Sequence, residues 1–225
     1  MITGKEIKQV KYKYLFFDLD GTLSNTLEGV TNAAVYTFEK LGEPLSDKSV
    51  VRSFIGPPLQ YSFEVLCGYP KGKADAAIEY FREYYEKSGW RECELFDGIK
   101  ALLRELKAVG YKLAVATSKS EVFARPLLDM LGVGEFFDFV AGSDDSIGRS
   151  SKSDVIVYAL DALSISAQDA LMIGDTKFDI EGANQTGLDS VGVLFGFGSR
   201  ESLESEGATY ITKTVSDLRE FLISL

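Results

Sequence analysis

Two aspartates follow a short apolar segment near the start of the chain. Residues 12–18 are expected to form a buried strand that carries Asp18 and Asp20 at its C-terminal end, with Gly21 turning the chain away. Residues two apart share a face of an extended strand. Two carboxylates at a buried strand end repel each other unless a cation lies between them. The Asp-x-Asp-Gly pattern is weak by itself, but it favours a cation site over a solvated acidic loop.

A second acidic pair opens a predicted helix much later in the chain. Asp175 and Asp179 are four residues apart and therefore lie on one helix face. Taken alone, this pair is explained by helix capping and by the helix dipole. In open α/β sheets, however, ligands bind at the carboxyl ends of the strands, where Asp18 and Asp20 are also expected. Together the four acids indicate an oxygen-ligand Mg²⁺ site.

Hydroxyl groups and a lysine are expected at the same edge of the sheet. Thr117 and Ser118 follow a predicted strand, and Lys152 precedes a predicted helix. Each residue alone is explained as an ordinary surface group. Next to a cation site, they could instead contact an anionic ligand.

The sequence contains no histidine, which excludes several catalytic arrangements at once. Ser-His-Asp hydrolysis, phosphohistidine chemistry and His-rich metal sites all require that residue. A cysteine phosphatase would need an arginine six residues after its cysteine, but Lys73 follows Cys67 and Ile99 follows Cys93 at that distance. The chemistry must therefore use carboxylates, hydroxyls, lysines and a metal.

The elements that would position these residues form an alternating series. Beyond residue 98, helices and strands alternate, which predicts a parallel sheet with helices on both faces. Strands are expected at 12–18, 112–116, 137–141, 170–173, 190–194 and 209–211, and helices at 99–109, 121–131, 154–163, 178–185 and 215–222.

A helical block interrupts this series after the first strand. Helices are expected at 28–41, 47–54 and 74–87, with a further helical stretch between Pro58 and Gly68. The fold class is therefore α/β, with a Rossmann-like parallel sheet and an inserted small all-helical cap. We expect residues 1–24 and 95–225 to form the core and residues 25–94 the cap.

Four segments together resemble the haloacid dehalogenase superfamily. Residues 18–23 (DLDGTL) resemble its first motif, 115–119 (VATSK) its second, Lys152 its third and 173–179 (IGDTKFD) its fourth. Their order and spacing match over nearly the whole chain. The segment 54–59 (FIGPPL) also resembles the phosphoglycolate phosphatase-like branch, in which such a segment lies in the cap near the active site.

The resemblance implies a role for each acidic residue. Asp18 would be the nucleophile and a Mg²⁺ ligand. Asp20 would bind the metal through its backbone carbonyl and act as general acid, then base. Asp175 would bind Mg²⁺, and Asp179 would support the metal directly or through water. The implied activity is Mg²⁺-dependent hydrolysis of a small phosphomonoester, such as phosphoglycolate, a nucleotide or a sugar phosphate, through an aspartyl-phosphate.

The resemblance also implies which residues contact the phosphate and the rest of the substrate. Thr117 and Lys152 would hold the transferring phosphoryl oxygens. The further residues expected to bind substrate are Thr22, Ser118, Lys119, Arg52 and Gly56.

Other functions remain open on the same core. A phosphomutase or a pyrophosphatase would use the same motifs, although mutases of this type often use a cap histidine. A non-enzymatic phospho-acceptor module would also combine Asp, a hydroxyl and Lys on a parallel sheet. It would lack an acid-base aspartate such as Asp20 and an inserted cap.

Composition narrows the choice of partners. The 225 residues include 24 Lys and Arg against 34 Asp and Glu, a formal charge of −10, which argues against a nucleic-acid partner. No stretch reaches the length of a membrane span, and the apolar run at 15–17 is too short for a signal-peptide core. We expect a cytoplasmic monomer or homodimer that binds a small phosphorylated metabolite.

Overall fold

The computed structural model describes residues 11–45 and 48–225, and a six-stranded parallel sheet forms its centre. Across the sheet the strands follow the order 139–143, 112–120, 14–17, 170–174, 189–193 and 210–212, so the first strand of the chain lies near the centre. Strands that are not consecutive in the chain are neighbours in the sheet, which requires helical crossovers. The sheet strands are β1 (Tyr14–Phe17), β4 (Lys112–Ser120), β5 (Phe139–Ser143), β6 (Ala170–Gly174), β7 (Asp189–Val193) and β8 (Tyr210–Thr212).

Alternating side chains of the central strands divide the core into two layers. Leu15 and Phe17 pack into the cluster on one face of the sheet, and Phe16 packs into the cluster on the other face. Helices cover both faces, which explains why the strands are apolar throughout. The covering helices are α4 (Ile99–Val109), α5 (Glu121–Met130), α6 (Lys152–Leu163), α7 (Lys177–Thr186), α8 (Arg200–Ser205) and α9 (Val215–Ser224).

The helices between β1 and β4 build a separate apolar cluster, and we call them the cap helices. Phe54, Phe63 and Phe81 are buried in this cluster, with Phe63 packed edge-on against the other two rings. The helices are α1 (Leu27–Lys40), a 3₁₀ helix (Lys48–Phe54), α2 (Leu59–Tyr61), a π-helical turn (Ser62–Leu66), α3 (Lys71–Lys87) and a 3₁₀ turn (Gly89–Arg91).

The chain enters and leaves the cap helices through a two-stranded antiparallel ribbon. β2 (Ser24–Asn25) pairs with β3 (Glu94–Leu95), and the Phe96 N–H donates to the Leu23 carbonyl at 3.1 Å. Both crossings between core and cap therefore lie side by side. No helix in the described ranges is long and apolar enough to cross a membrane.

The α/β fold class with a helical insertion is confirmed, while several element boundaries differ from the prediction. β4 continues to Ser120, four residues beyond its expected end, because it resumes pairing with β5 after a register shift. α6 begins at Lys152 rather than Asp154, because Ser151 and Asp154 form a capping box there. The expected helix at 47–54 is a 3₁₀ helix from Lys48, and Asp47 lies outside the described residues.

Candidate active site

The end of β1 delivers Asp18 directly to the edge of the sheet. The Asp18 N–H donates to the Ile173 carbonyl at 2.9 Å, so the strand pairing continues to this residue. The chain then turns at Gly21, whose φ is +87°. A Cβ at this position would lie 2.2 Å from Asp175 Oδ2. Glycine therefore allows the first motif to approach the fourth.

Three buried carboxylates meet at this edge of the sheet. Oxygen atoms of Asp18, Asp175 and Asp179 all lie within 4.8 Å of one another. Asp18 comes from the end of β1, Asp175 follows β6, and Asp179 lies in the first turn of α7. The sheet order makes these elements neighbours, because β1 pairs with β6.

Hydrogen bonds hold the second and third of these carboxylates in place. Asp175 accepts from the Phe197 N–H at 2.7 Å and from Thr22 Oγ1 at 3.2 Å. Asp179 Oδ2 accepts from the backbone N–H and the hydroxyl of Thr176, both at 2.9 Å. The predicted capping of α7 is thus present, and it leaves Asp179 Oδ1 on the side of the other acids, where it meets Lys152.

Lys152 lies between two of the three acids. Its Nζ is 2.9 Å from Asp18 Oδ1 and 2.7 Å from Asp179 Oδ1, and it donates to the Ala116 carbonyl at 3.2 Å. The side chain is only 4% exposed. The interpretation of Lys152 as one solvated lysine among many is therefore wrong.

Burial and mutual repulsion determine the titration of this cluster. Burial, with the charges of Asp179 and Asp18, raises the pKa of Asp175 well above its usual value. Burial also raises the pKa of Asp179, although the Lys152 ammonium opposes this shift. Burial would lower the pKa of Lys152, but the carboxylates of Asp179 and Asp18 outweigh it and raise the pKa. One ammonium thus faces three buried acidic groups, so full ionisation of the cluster needs further positive charge.

The residues after β1 and β4 meet above this cluster. Lys119 Nζ lies 2.8 Å from Asp20 Oδ2 and donates to the Tyr85 hydroxyl. Burial would lower the pKa of Lys119, but the Asp20 carboxylate and Tyr85 raise it overall. Asp20 Oδ1 is buried and accepts no hydrogen bond from the residues that the structure describes. Tyr85 belongs to α3, so this chain of contacts joins the core to a cap helix.

The remaining predicted residues divide between the cavity and its supports. Thr117 is buried and lines the cavity beside Ser118, and its Oγ1 accepts from the Lys119 N–H at 3.2 Å. Thr22 donates to Asp175 rather than facing the cavity. Ser118 and Lys119 both line the cavity.

Two predicted cap residues touch the core. Gly56 lines the cavity with φ +102°, and a Cβ there would lie 2.5 Å from Thr176 Cγ2. Arg52 instead donates to the Gly196 carbonyl at 2.7 Å and lies 5.1 Å from the Phe197 ring centre. Arg52 thus fastens the cap to the loop after β7, and its role in substrate binding stays a prediction.

A cavity of about 1060 Å³ opens between the cap helices and the edge of the sheet. Asp18, Asp20 and Thr117 form its floor, and the 54–60 segment and one face of α3 form its walls. Sequence reasoning did not assign Tyr85 to the site. Its position on the apolar face of α3 was visible in the helical periodicity, but periodicity does not show where that face points.

Comparison with known proteins agrees with this geometry. The family described as haloacid dehalogenase-like hydrolase matches residues 15–193. The chain belongs to this family. A 5′-nucleotidase of Pseudomonas aeruginosa is 35% identical over 215 residues, 96% of this chain and 97% of that protein. A phosphoglycolate phosphatase of Colwellia psychrerythraea is 29% identical over 227 residues, 97% of this chain and 99% of that protein.

The fold is shared with a solved structure as well. A predicted phosphatase from Clostridium acetobutylicum superposes with a TM-score of 0.91 at 41% sequence identity, and the match covers 95% of this chain and 99% of the other chain. The predicted resemblance and enzyme class are confirmed: this protein is a phosphatase of the haloacid dehalogenase-like family and resembles the phosphoglycolate phosphatase branch.

Proposed function

We propose that the protein hydrolyses a small phosphomonoester with Mg²⁺ and an aspartyl-phosphate on Asp18. The observation that carries this proposal is the buried cluster of Asp18, Asp175 and Asp179, in which Asp18 lines the floor of a cavity together with Asp20. Three buried carboxylates against one ammonium form a hard, anionic donor set, which suits Mg²⁺. When bound, Mg²⁺ would neutralise charge on the phosphoryl oxygens and orient them.

The chain's own residues would divide the reaction into two steps. An Asp18 oxygen attacks phosphorus, the bond between phosphorus and the ester oxygen breaks, and Asp20 gives its proton to the departing oxygen. A water molecule then attacks phosphorus, Asp20 takes its proton, and the bond from phosphorus to Asp18 breaks to release phosphate. Lys119 holds Asp20 Oδ2, while Oδ1 is buried and has no hydrogen-bond donor among the described residues, so Oδ1 is the oxygen that can exchange the proton.

Positioning of the phosphoryl group falls to Thr117 and Lys152. Thr117 lines the floor of the cavity, and Lys152 touches the carboxylate that would attack. Phosphoryl transfer depends mainly on such positioning and on charge neutralisation. The helices over 25–94 would act as the cap that excludes water, since Arg52 and Gly56 hold them against core loops.

Asp20→Asn separates the two steps and tests this mechanism. An aryl phosphate has a good leaving group and needs little acid catalysis, whereas water attack needs a base that an amide cannot provide. The variant should release close to one phenol per active site in a burst, followed by a slow phase. Asp18→Asn should give no burst, and Asp97→Asn, which changes an exposed acid, should behave like the unmodified protein.

Two results would contradict the proposal. Equal steady rates without a burst in the unmodified protein and in Asp20→Asn would remove Asp20 from the acid-base role. Full turnover in excess chelator would exclude the Mg²⁺ site. Stable phosphorylation of the unmodified protein without release of phosphate would favour a phospho-acceptor module instead.

A further inference from the structure

The face of α3 that lines the cavity carries more acid than base. Asp75, Glu79, Arg82 and Glu86 recur at intervals of three or four residues, so they share one helix face. This face lines the same cavity as Asp18, Asp20 and Thr117, but it belongs to a cap helix and not to the strand ends. It therefore meets the part of the substrate that leaves as the alcohol, not the phosphate.

The cations that line the cavity already have acidic partners. Lys119 Nζ lies 2.8 Å from Asp20, and Arg82 Nη2 lies 3.2 Å from Asp145. Glu79 and Glu86, by contrast, have no ion-pair partner in the part of the chain that the structure describes. The leaving-group side of the cavity is thus anionic, and no described lining residue offers an uncommitted cation.

The cavity lining also includes apolar side chains from α5. Val122 is 71% exposed although it is a large aliphatic residue, and Phe123 lies beside it in the cavity lining. Phe54 and Ile78 of the cap helices also line the cavity, although both are largely buried in the cap cluster. Cavities of about 300–1,000 Å³ suit drug-sized ligands, so a volume near 1060 Å³ exceeds what a two-carbon acid would fill.

We propose, on the basis of the function above, that the cavity takes a nucleoside monophosphate and rejects phosphomonoesters whose alcohol carries a carboxylate. A nucleoside has no anionic group. Its flat base can pack against Val122 and Phe123, and its hydroxyl groups can donate hydrogen bonds to the carboxylates of Glu79 and Glu86. A carboxylate in the same place meets two unpaired acids. Both acids are exposed to solvent, which screens the repulsion, and like charges about 4 Å apart in such surroundings change affinity by up to roughly tenfold.

A matched set of substrates tests the charge rule. Phosphoglycolate, ethyl phosphate and phosphoethanolamine are of similar length but carry an anionic, a neutral and a cationic alcohol. We expect kcat/KM to rise in that order, by about tenfold from the first to the second, and to be highest for AMP or UMP. The highest kcat/KM for phosphoglycolate would overturn the inference, as would equal values across the three short substrates.

Substitutions locate the effect on α3. The double change Glu79→Gln and Glu86→Gln should raise the kcat/KM ratio of phosphoglycolate to ethyl phosphate about tenfold. Glu83→Gln is the matched control, because Glu83 lies on the same helix but accepts a hydrogen bond from Tyr36 at 2.6 Å, outside the cavity lining. It should leave the ratio unchanged. An unchanged ratio in the double variant would refute the role of these acids.

An apolar variant tests the nucleoside part separately. Val122→Ser should lower kcat/KM for AMP several-fold and leave ethyl phosphate unaffected. An equal effect on both substrates would remove Val122 from base recognition. Hydrolysis of p-nitrophenyl phosphate with Mg²⁺ is measured throughout. Absence of p-nitrophenyl phosphate hydrolysis would refute the proposed phosphatase mechanism. Hydrolysis of p-nitrophenyl phosphate together with a preference for phosphoglycolate would refute only the substrate inference.

Discussion

Replacing Lys152 by methionine should destabilise the metal-free protein strongly as well as slow catalysis. The change removes the ammonium that lies within 3 Å of Asp18 and Asp179, whose side chains are 6% and 0% exposed. Methionine keeps much of the volume but leaves two buried carboxylates without a cation, and the Ala116 carbonyl without its donor.

The size of the effect follows from burial. Breaking a buried ion pair by removing one partner costs about 3–5 kcal/mol. A protein of this size loses roughly 2–4 °C of melting temperature for each kcal/mol, so the change predicts a decrease of roughly 6–20 °C. Loss of the charge at the phosphoryl group should also lower kcat by about 10²–10³.

Thermal unfolding in EDTA and in Mg²⁺ separates the two effects. Mg²⁺ binds only the folded state and supplies the missing positive charge, so it should raise the melting temperature of Lys152→Met more than that of the unmodified protein. Activity should stay low in both conditions. Lys100→Met changes an exposed lysine at the start of α4 and serves as control.

The pH dependence of the unfolding free energy shows how the Lys152 ammonium contributes to stability. The pKa of Lys152 is raised in the folded protein, so its stabilisation of the fold is fully present below the ordinary lysine pKa of ~10.4 and disappears only as pH rises through the pKa of the folded state. Loss of the ammonium also raises the pKa of Asp179 further, so the difference in unfolding free energy between the unmodified protein and Lys152→Met should increase as pH rises above the ordinary carboxyl value of ~3.9. A variant as stable as the unmodified protein in EDTA would refute this account of the buried pair.

The remaining predictions concern the cap contact and the metal site. Gly56→Ala should lower kcat/KM for all substrates by about tenfold, because left-handed backbone strain of ~1–2 kcal/mol adds to contact with Thr176. Gly42 has φ +73°, but an added Cβ there would have no neighbour within 4 Å. Gly42→Ala therefore introduces backbone strain without a steric contact and should retain activity. Burial raises the pKa of Asp175, so the metal-free protein should lose stability as pH rises from about 4 through the folded pKa. The increase in melting temperature on adding Mg²⁺ should therefore be larger at pH 8 than at pH 5, and equal increases would contradict the proposed role of Asp175.

Most of the core was predictable because the buried strands and the helices that cover them show different spacings of apolar residues in the sequence. The helix at Ile99–Val109 was placed at both ends, since Gly98 and Gly110 flank a clear amphipathic pattern. α8 was missed because its six residues bury only Leu203. β2 and β3 were missed because two-residue strands carry no period at all.

The residues at the strand ends were predictable for a topological reason, whereas their supports were not. Parallel strands end at one edge, so the proximity of Asp18 and Asp175 followed from the element order. The contact of Lys119 with Tyr85 depends on how α3 is oriented over the sheet, and no local pattern encodes that orientation. Burial of Lys152 was equally hidden, because a lysine at a helix start resembles any surface lysine.

The paired crossings at β2 and β3 have a consequence for how such an enzyme diversifies. Their backbones are hydrogen-bonded neighbours, so the two ends of the helical insertion are separated by about one strand spacing, near 4.8 Å. A tight turn of about two residues bridges such a gap in hairpins. The insertion is therefore an exchangeable module: it can be shortened, lengthened or replaced without shifting any strand of the sheet. New specificities can arise in the module while the aspartates at the strand ends keep their geometry.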